Sequence, residues 1–148
     1  MLSWIWSEPL PAGTIAPSFS LPDEQGRIAT LDQHRGKQNV VLVFYPADDT
    51  PVCTKQACEF RDDWASVSSA NTVVYGINTR SAESHRRFRE KHRLPFSLLV
   101  DKGQRVAKLY NTNGPIIKRT VYLIGKDGRI KFAQRGKPTP SEVLKFAE

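Results

Sequence analysis

The two cysteines of this 148-residue chain, Cys53 and Cys58, are the side chains best suited to chemistry. They are the only cysteines, whereas a domain stapled by disulfides would carry more. The pair is therefore incidental, metal-binding or redox-active. Zinc sites generally need four ligands, and the three histidines, His34, His85 and His92, are scattered along the sequence. We expect no metal site, and we expect His85 and His92 to lie on the surface.

Cys53 follows a run that predicts a buried strand. Residues 40–45 are continuously β-branched, aliphatic or aromatic, as in a central strand covered on both faces. Cys53 then falls in the first turn of a predicted helix, where unpaired N–H groups and the helix macrodipole favour a thiolate. A free cysteine is only roughly 3% thiolate at neutral pH, so this placement predicts a reactive thiol. Thr50, three residues earlier, can hydrogen-bond the sulfur or an oxygen bound to it.

The five-residue spacing of the thiols has a mechanical consequence. In an ideal helix, such residues lie about 140° apart around the axis, with Cα atoms roughly 8.7 Å apart. A disulfide needs Cα atoms about 4.4–6.8 Å apart. Cys53 and Cys58 therefore cannot join while the helix is intact, and a disulfide requires its first turns to unwind. The alternative is that Cys58 is an ordinary helix residue.

The hydrophobic patterns along the chain predict strands and helices in alternation. Five apolar positions, spaced four, three, four and three residues apart from Cys53 to Val67, predict one helix with a single apolar stripe. Ser81 predicts the start of a basic helix that ends near His92. From residue 40 onward, the predicted elements follow the order β-α-β-α-β-α-β-β-α. This order predicts an α/β fold with a mixed central sheet flanked by helices. Strands are predicted at 28–30, 40–45, 72–77, 98–100, 121–124 and 130–133, and further helices at 104–110 and from residue 140.

Length and composition indicate a single domain spanning residues 1–148. Residues 1–15 are expected to form an irregular N-terminal extension, since Pro9 and Pro11 discourage a helix. Its first residues include Trp4 and Trp6, which predict either a strap packed on the domain or an interface for a partner or membrane surface.

The net charge of +7 comes from scattered basic residues, so we expect no nucleic-acid binding. The apolar run at 40–45 is too short to span a bilayer, and the N-terminus is a poor secretory signal. We expect a cytoplasmic protein that is not held in a membrane.

The segment around Cys53 resembles the active-site signature of the peroxiredoxins, Pro-x-x-x-Thr-x-x-Cys, here Pro46, Thr50 and Cys53. With the preceding Asp-Asp-Thr-Pro at 48–51 and a second cysteine five residues on, it is most similar to the peroxiredoxin Q group, also called bacterioferritin comigratory proteins, of the AhpC/TSA superfamily. The likeness runs from about residue 16 to residue 135. It includes the segments 16–19, 60–62, 83–85, 94–96 and 119–120.

The resemblance implies a thioredoxin-like fold and the reduction of hydrogen peroxide or organic hydroperoxides without a cofactor. It makes Cys53 the peroxidatic cysteine and Cys58 the resolving cysteine of an intramolecular disulfide. Pro46 would shield the sulfur from solvent, and Thr50 would hold the thiolate and the peroxide. Arg119 would be the cation that activates the thiol and polarises the O–O bond. Thioredoxin or a similar dithiol would recycle the enzyme.

Two other redox mechanisms remain open at this stage. In a one-cysteine peroxidase, an external thiol would resolve Cys53 and Cys58 would be idle. A thiol–disulfide oxidoreductase on a similar fold typically uses Cys-x-x-Cys, whereas four residues separate the cysteines here. Because both thiols lie in one chain, no dimer is chemically required, and we expect a monomer or a weak homodimer.

Overall fold

The computed structural model describes residues 7–148. Trp4 and Trp6, for which the sequence predicts a packed strap or an interface, lie outside that range. Residues 7–14 contain no helix or strand. The single domain over residues 1–148, with an irregular extension over residues 1–15, stays a prediction. Within residues 7–148, no helix is both long enough and apolar enough to cross a membrane.

Seven strands and five helices form the described part of the chain, together with two short 3-10 turns. The strands are β1 (Ser20–Pro22), β2 (Ile28–Thr30), β3 (Asn39–Phe44), β4 (Thr72–Asn78), β5 (Ser97–Val100), β6 (Thr120–Ile124) and β7 (Ile130–Arg135). The helices are α1 (Pro51–Asp62), α2 (Trp64–Ser69), α3 (Ala82–His92), α4 (Arg105–Leu109) and α5 (Pro140–Leu144).

The main sheet has the strand order β5-β4-β3-β6-β7, with β3 at its centre. Strand β3 runs parallel to β4 and antiparallel to β6, so the sheet is mixed as the sequence predicts. Strands β1 and β2 pair separately as a small antiparallel hairpin. The order of elements from β3 to α5 follows the predicted alternation, apart from the division of the first helix into two.

The alternation of side chains along β3 explains its continuous apolar run. Successive residues of a strand point to opposite faces, and every residue of β3 is buried. Leu42 and Phe44 join the core on one face, whereas Val41 and Val43 join the core on the other. Cys53 belongs to this second core, so the central strand directly supports the helix that carries the thiol.

The apolar stripe that begins at Cys53 extends over two helices, whereas the sequence predicts one. Helix α1 ends at Asp62, and α2 begins at Trp64 after Asp63 leaves helical geometry with φ −95° and ψ 18°. Phe60 and Val67 are buried in the same core, so the stripe keeps its face across the break. The prediction of a single helix was wrong because spacing alone does not register one non-helical residue between two correctly phased segments.

Candidate active site

Cys53 is the third residue of α1 and is almost completely buried, with 2% of its surface exposed. Pro51 begins the helix, a position where its fixed φ is favourable and its missing N–H costs nothing. Thr50 precedes it in an extended conformation, and its carbonyl accepts the first helical hydrogen bond from the N–H of Thr54. The thiol therefore lies in the first helical turn, where the sequence predicts it and where free N–H groups favour an anion.

Arg119 contacts the cysteine directly, with its Nη2 atom 3.1 Å from Sγ of Cys53. The sheet register causes this contact: Thr120 at the start of β6 pairs with Phe44 at the end of β3. Arg119 therefore lies beside the point where the chain leaves β3 for α1. A guanidinium cation that donates to the sulfur stabilises a thiolate over a thiol.

Gln56 fixes the other side of the same guanidinium. Its Oε1 accepts a hydrogen bond of 2.8 Å from Nη1 of Arg119, and the residue is 2% exposed. Its Nε2 is buried and has no hydrogen-bond partner within the described residues. Because Oε1 must face the arginine, the amide cannot rotate to satisfy Nε2 without losing that bond. Sequence reasoning missed Gln56, although it lies three residues after Cys53 on the same helix.

A narrow pocket with mostly apolar walls lies behind the thiol, between α1 and the sheet. Cys53 and Gln56 line it together with aromatic and aliphatic side chains. Little water can surround the sulfur in such a place, and charges interact more strongly where water is excluded. The Arg119–Cys53 contact is therefore stronger than the same contact on an open surface. The other residues of the lining are Val43, Tyr45, Ala57, Phe60, Gly76, Phe88, Phe96 and Leu98.

Cys58 lies two turns beyond the start of the same helix and is partly exposed. Both cysteines are free thiols, so the structure is that of the reduced protein. Residues 51–62 form one continuous helix, and the ideal separation of roughly 8.7 Å applies to the two Cα atoms. The two thiols are thus held apart in this state.

Thr50 and Pro46 both lie in the loop between β3 and α1. Thr50 is exposed and Pro46 is half-buried. Within the described residues, the Thr50 side chain makes no capping hydrogen bond to the helix, and no hydrogen bond joins its hydroxyl to Sγ of Cys53. The roles expected for these two residues stay predictions.

His85 is fully buried, so the prediction that it lies on the surface was wrong. Its Nδ1 lies 2.6 Å from a carboxylate oxygen of Asp48, and its Nε2 lies 2.9 Å from the backbone carbonyl of Leu99. The basic residues around it in the sequence indicate a solvated helix face, but helical periodicity turns every third or fourth residue inward. The other histidine of the pair, His92, is partly exposed and bonds Asp49.

Asp48 accepts four hydrogen bonds although its side chain is only 4% exposed. The donors besides His85 are Tyr45 at 2.6 Å, Ser84 at 2.7 Å and Asn78 at 3.1 Å. Burial alone raises the pKa of Asp48, but the bond to His85, its charge and the two hydroxyls outweigh burial and lower the pKa overall. Burial, followed by the charge of Asp48, raises the pKa of Tyr45 well above its ordinary value. The site thus contains a buried carboxylate in addition to the predicted residues.

A sequence model of the AhpC/TSA family matches residues 12–133. The chain belongs to the AhpC/TSA family. Among its relatives in this family, a putative peroxiredoxin bcp of Coxiella burnetii is 45% identical over 127 residues, which cover 80% of this chain and 83% of the relative. The chloroplastic peroxiredoxin Q of Sedum lineare is 40% identical over 136 residues, which cover 89% of this chain and 73% of the relative.

Solved structures of peroxiredoxins resemble this AhpC/TSA protein over more than nine-tenths of its chain. Peroxidoxin BcpB of Mycobacterium tuberculosis superposes with a TM-score of 0.87 at 28% identity, covering 93% of this chain and 96% of the other. A peroxiredoxin Q mutant of Xylella fastidiosa gives 0.80 at 27% identity, with coverages of 93% and 91%. The thioredoxin-like fold and the resemblance predicted from the sequence are confirmed. This AhpC/TSA protein is a thiol-dependent peroxidase.

Proposed function

We propose that Cys53 is the thiol that attacks the peroxide and that Cys58 resolves the product within the same chain. The observation that carries the assignment is the 3.1 Å contact between Nη2 of Arg119 and Sγ of Cys53, at the start of a helix. Two sources of positive potential converge on this sulfur, the guanidinium and the helix N-terminus. Cys58 has neither of these, because it lies in the middle of the helix.

In the first step, the Cys53 thiolate attacks one oxygen of a hydroperoxide ROOH. The S–O bond forms as the O–O bond breaks, and the leaving alkoxide takes a proton to become ROH. The sulfur is oxidised by two electrons to a sulfenic acid and the peroxide is reduced by two. Arg119 supports this step, because its N–H groups can stabilise the charge that moves from sulfur to oxygen. Thr50 is proposed to orient the peroxide, and Pro46 to shield the sulfur from solvent.

In the second step, the first turns of α1 unwind and Cys58 attacks the sulfenic sulfur. An S–S bond forms, the S–O bond breaks, and the oxygen leaves as water. The partly exposed position of Cys58 favours this step, since the thiol is not locked in the core. A dithiol such as thioredoxin then attacks the disulfide, which returns both cysteines to the thiol form while the dithiol becomes a disulfide.

No organic cofactor or metal takes part in the proposed cycle, because the electrons come from the two thiols and then from the dithiol. A cytoplasmic location and a monomeric or weakly dimeric state accompany the proposal as predictions from the sequence. Not every relative is cytoplasmic, since the peroxiredoxin Q of Sedum lineare is chloroplastic.

The test is an intact-mass and free-thiol measurement after one equivalent of hydrogen peroxide, on wild type, Cys58→Ser and Cys53→Ser. Wild type should lose two thiols and two hydrogens, Cys58→Ser should stop at a trappable sulfenic acid, and Cys53→Ser should lose peroxidase activity. If wild type and Cys58→Ser both stop at the sulfenic acid, Cys58 is not the resolving thiol. Retention of thioredoxin-linked activity in Cys53→Ser would overturn the assignment of the attacking thiol.

A further inference from the structure

The buried side chain of His85 joins the loop before α1 to helix α3 through its contact with Asp48. Both ring nitrogens of His85 face oxygen acceptors, the carboxylate of Asp48 and the carbonyl of Leu99. A neutral imidazole has a single N–H, so it can satisfy only one of these contacts. Asp48 also accepts from three further donors and its pKa is lowered, which keeps it ionised. The two contacts are thus satisfied together only when both ring nitrogens donate, one of them to a carboxylate whose side chain is 4% exposed.

Four donors reach Asp48 from three different elements around the active-site loop. Tyr45 directly follows β3, Asn78 ends β4, and Ser84 and His85 belong to the first turn of α3. Asp48 itself lies two residues before Thr50, in the loop that leads into α1. A single carboxylate thus connects the loop to the end of β3, to β4 and to α3.

A second tie lies at the far end of α1. Nη1 of Arg61 donates a 2.7 Å hydrogen bond to the backbone carbonyl of His92, the last residue of α3. Helix α3 therefore holds the chain at residue 48 through its first turn and at residue 61 through its last turn. The segment between the two ties contains both cysteines, and it is the segment that must unwind for them to join.

We propose that Asp48 and His85 are positioning residues that hold the 46–50 loop in its peroxide-reactive position and restrict unwinding to the segment that follows it. The inference rests on the proposed two-cysteine cycle. While the pair is intact, Cys53 remains against Arg119 long enough to be oxidised, and the opening that follows does not spread into the loop. Loss of the pair should favour the open state, in which Cys53 reacts slowly with peroxide and quickly with Cys58.

Loss of the Asp48–His85 pair would destabilise a particular segment of the chain, the loop at residues 46–50. Breaking a buried pair by removing one charge strongly destabilises the place where it lies, and here that place is the loop joining the central strand to the reactive helix. A suitable comparison is His34, a buried histidine that bonds Gln38 and Tyr75. Tyr75 belongs to the core on the opposite face of the sheet from Cys53, so His34→Gln perturbs a comparable side chain away from the loop.

The experiment compares wild type with Asp48→Asn, Ser84→Ala and His34→Gln in the full chain. Three quantities are measured: the rate constant for oxidation of Cys53 by hydrogen peroxide, the ratio of disulfide to sulfinic acid formed under excess hydrogen peroxide, and hydrogen exchange of the 46–50 amides in the reduced protein. The ratio matters because it reports the competition between Cys58 and a second peroxide after oxidation, whatever the rate of the first oxidation, and His34→Gln controls for general destabilisation. The sulfinic acid forms when a second peroxide oxidises the sulfenic acid before Cys58 reaches it.

Asp48→Asn should slow Cys53 oxidation about tenfold or more, raise the ratio of disulfide to sulfinic acid, and increase exchange at 46–50. Ser84→Ala, which removes a single hydrogen bond to Asp48, should change all three in the same direction by about threefold. If Asp48→Asn fails to fold, Ser84→Ala still tests the proposal. His34→Gln should leave the ratio and the 46–50 exchange unchanged even where it lowers the melting temperature.

An unchanged ratio and unchanged loop exchange in Ser84→Ala and in any folded Asp48→Asn would overturn the inference. Equal changes in His34→Gln would also overturn it, since they would reduce the effect to general destabilisation. These outcomes differ from a failure of the proposed function. In that case, Cys53→Ser would remain active or wild type would form no disulfide, whatever the loop variants do.

Discussion

Arg119 and Cys53 are 66 positions apart in the sequence, yet Nη2 of the arginine lies 3.1 Å from the sulfur. Their contact depends on the antiparallel register of β3 and β6, in which Thr120 faces Phe44. A slip of one residue in that register would turn the side chains of β6 to the opposite face. The sheet, and not the local loop, therefore delivers the cation to the thiol. Gln56 then holds the guanidinium from the helix side.

Replacement of Arg119 by methionine should lower kcat/KM for hydrogen peroxide by about 100-fold, because the variant loses the donor that we propose stabilises charge at the reacting atoms. Arg119→Lys should retain part of the activity, since it keeps a positive charge but loses the two-pronged geometry that reaches Cys53 and Gln56 together. Steady-state kinetics with a dithiol reductant provides the measurement. Arg129→Met, which removes an exposed arginine, is the control and should keep wild-type kcat/KM. Wild-type kinetics in Arg119→Met would contradict the role given to the contact.

Replacement of Gln56 by methionine should separate activity from stability. The variant removes the buried Nε2 that has no partner within the described residues, and leaving such a donor unpaired costs about 1–3 kcal/mol. It also removes the acceptor of Arg119 Nη1, so the guanidinium is less firmly held. We expect kcat/KM to fall about tenfold while the free energy of unfolding changes by less than about 1 kcal/mol. Chemical denaturation and kinetics on the same preparation test this, and a loss of stability matching the loss of activity would refute it.

Replacement of Gly76 by alanine should destabilise the core behind Cys53. A Cβ at this position would lie 2.7 Å from Cδ2 of Leu98 and 3.0 Å from Cε1 of Tyr45, and overpacking of a buried site costs about 1–3 kcal/mol. The Tyr45 hydroxyl bonds Asp48, so the displacement reaches the active-site loop. Unfolding in guanidinium chloride measures the decrease in the free energy of unfolding. Adding Leu98→Val removes the closest carbon, and the double variant should recover part of that loss; no recovery would show that the clash lies elsewhere.

The elements that carry the thiols could be predicted from the sequence because local patterns determine them. The apolar run of β3 requires burial on both faces, and Pro51 begins a helix that puts Cys53 in its first turn. The relation of Cys53 to Cys58 follows from helix geometry once that helix is known. The family resemblance added Arg119, whose distance from the sulfur no spacing rule could give.

The buried pair Asp48–His85 could not be predicted in this way. His85 lies among charged residues of an exposed-looking helix, and only the packing of α3 against the sheet shows that it is fully buried. Asp48 resembles an ordinary loop residue, because its donors come from segments 3, 30, 36 and 37 positions away. Interactions of this kind depend on tertiary packing, which a single sequence does not report.

The contribution of Asp48 to stability should depend on pH with a defined sign. Its pKa in the folded protein lies below the ordinary value of 3.8. The folded state therefore binds this proton less readily than the unfolded state, so the carboxylate stabilises the protein above about pH 3.8 and loses that effect as pH falls through the folded pKa. Wild type should exceed Asp48→Asn in free energy of unfolding at pH 5, and the difference should shrink below pH 4.

Urea unfolding curves for both proteins at several pH values measure this difference. Asp62→Asn is the matched control, because Asp62 is exposed and its ion pair with the neighbouring Arg61 contributes little. It should match wild type in stability across the neutral range. A difference between wild type and Asp48→Asn that persists undiminished down to pH 2.5 would show that the stabilisation does not come from the ionised carboxylate. In that case the hydrogen bonds around Asp48 would stabilise the fold equally well with a neutral side chain, and the negative charge of Asp48 would add nothing to the free energy of unfolding.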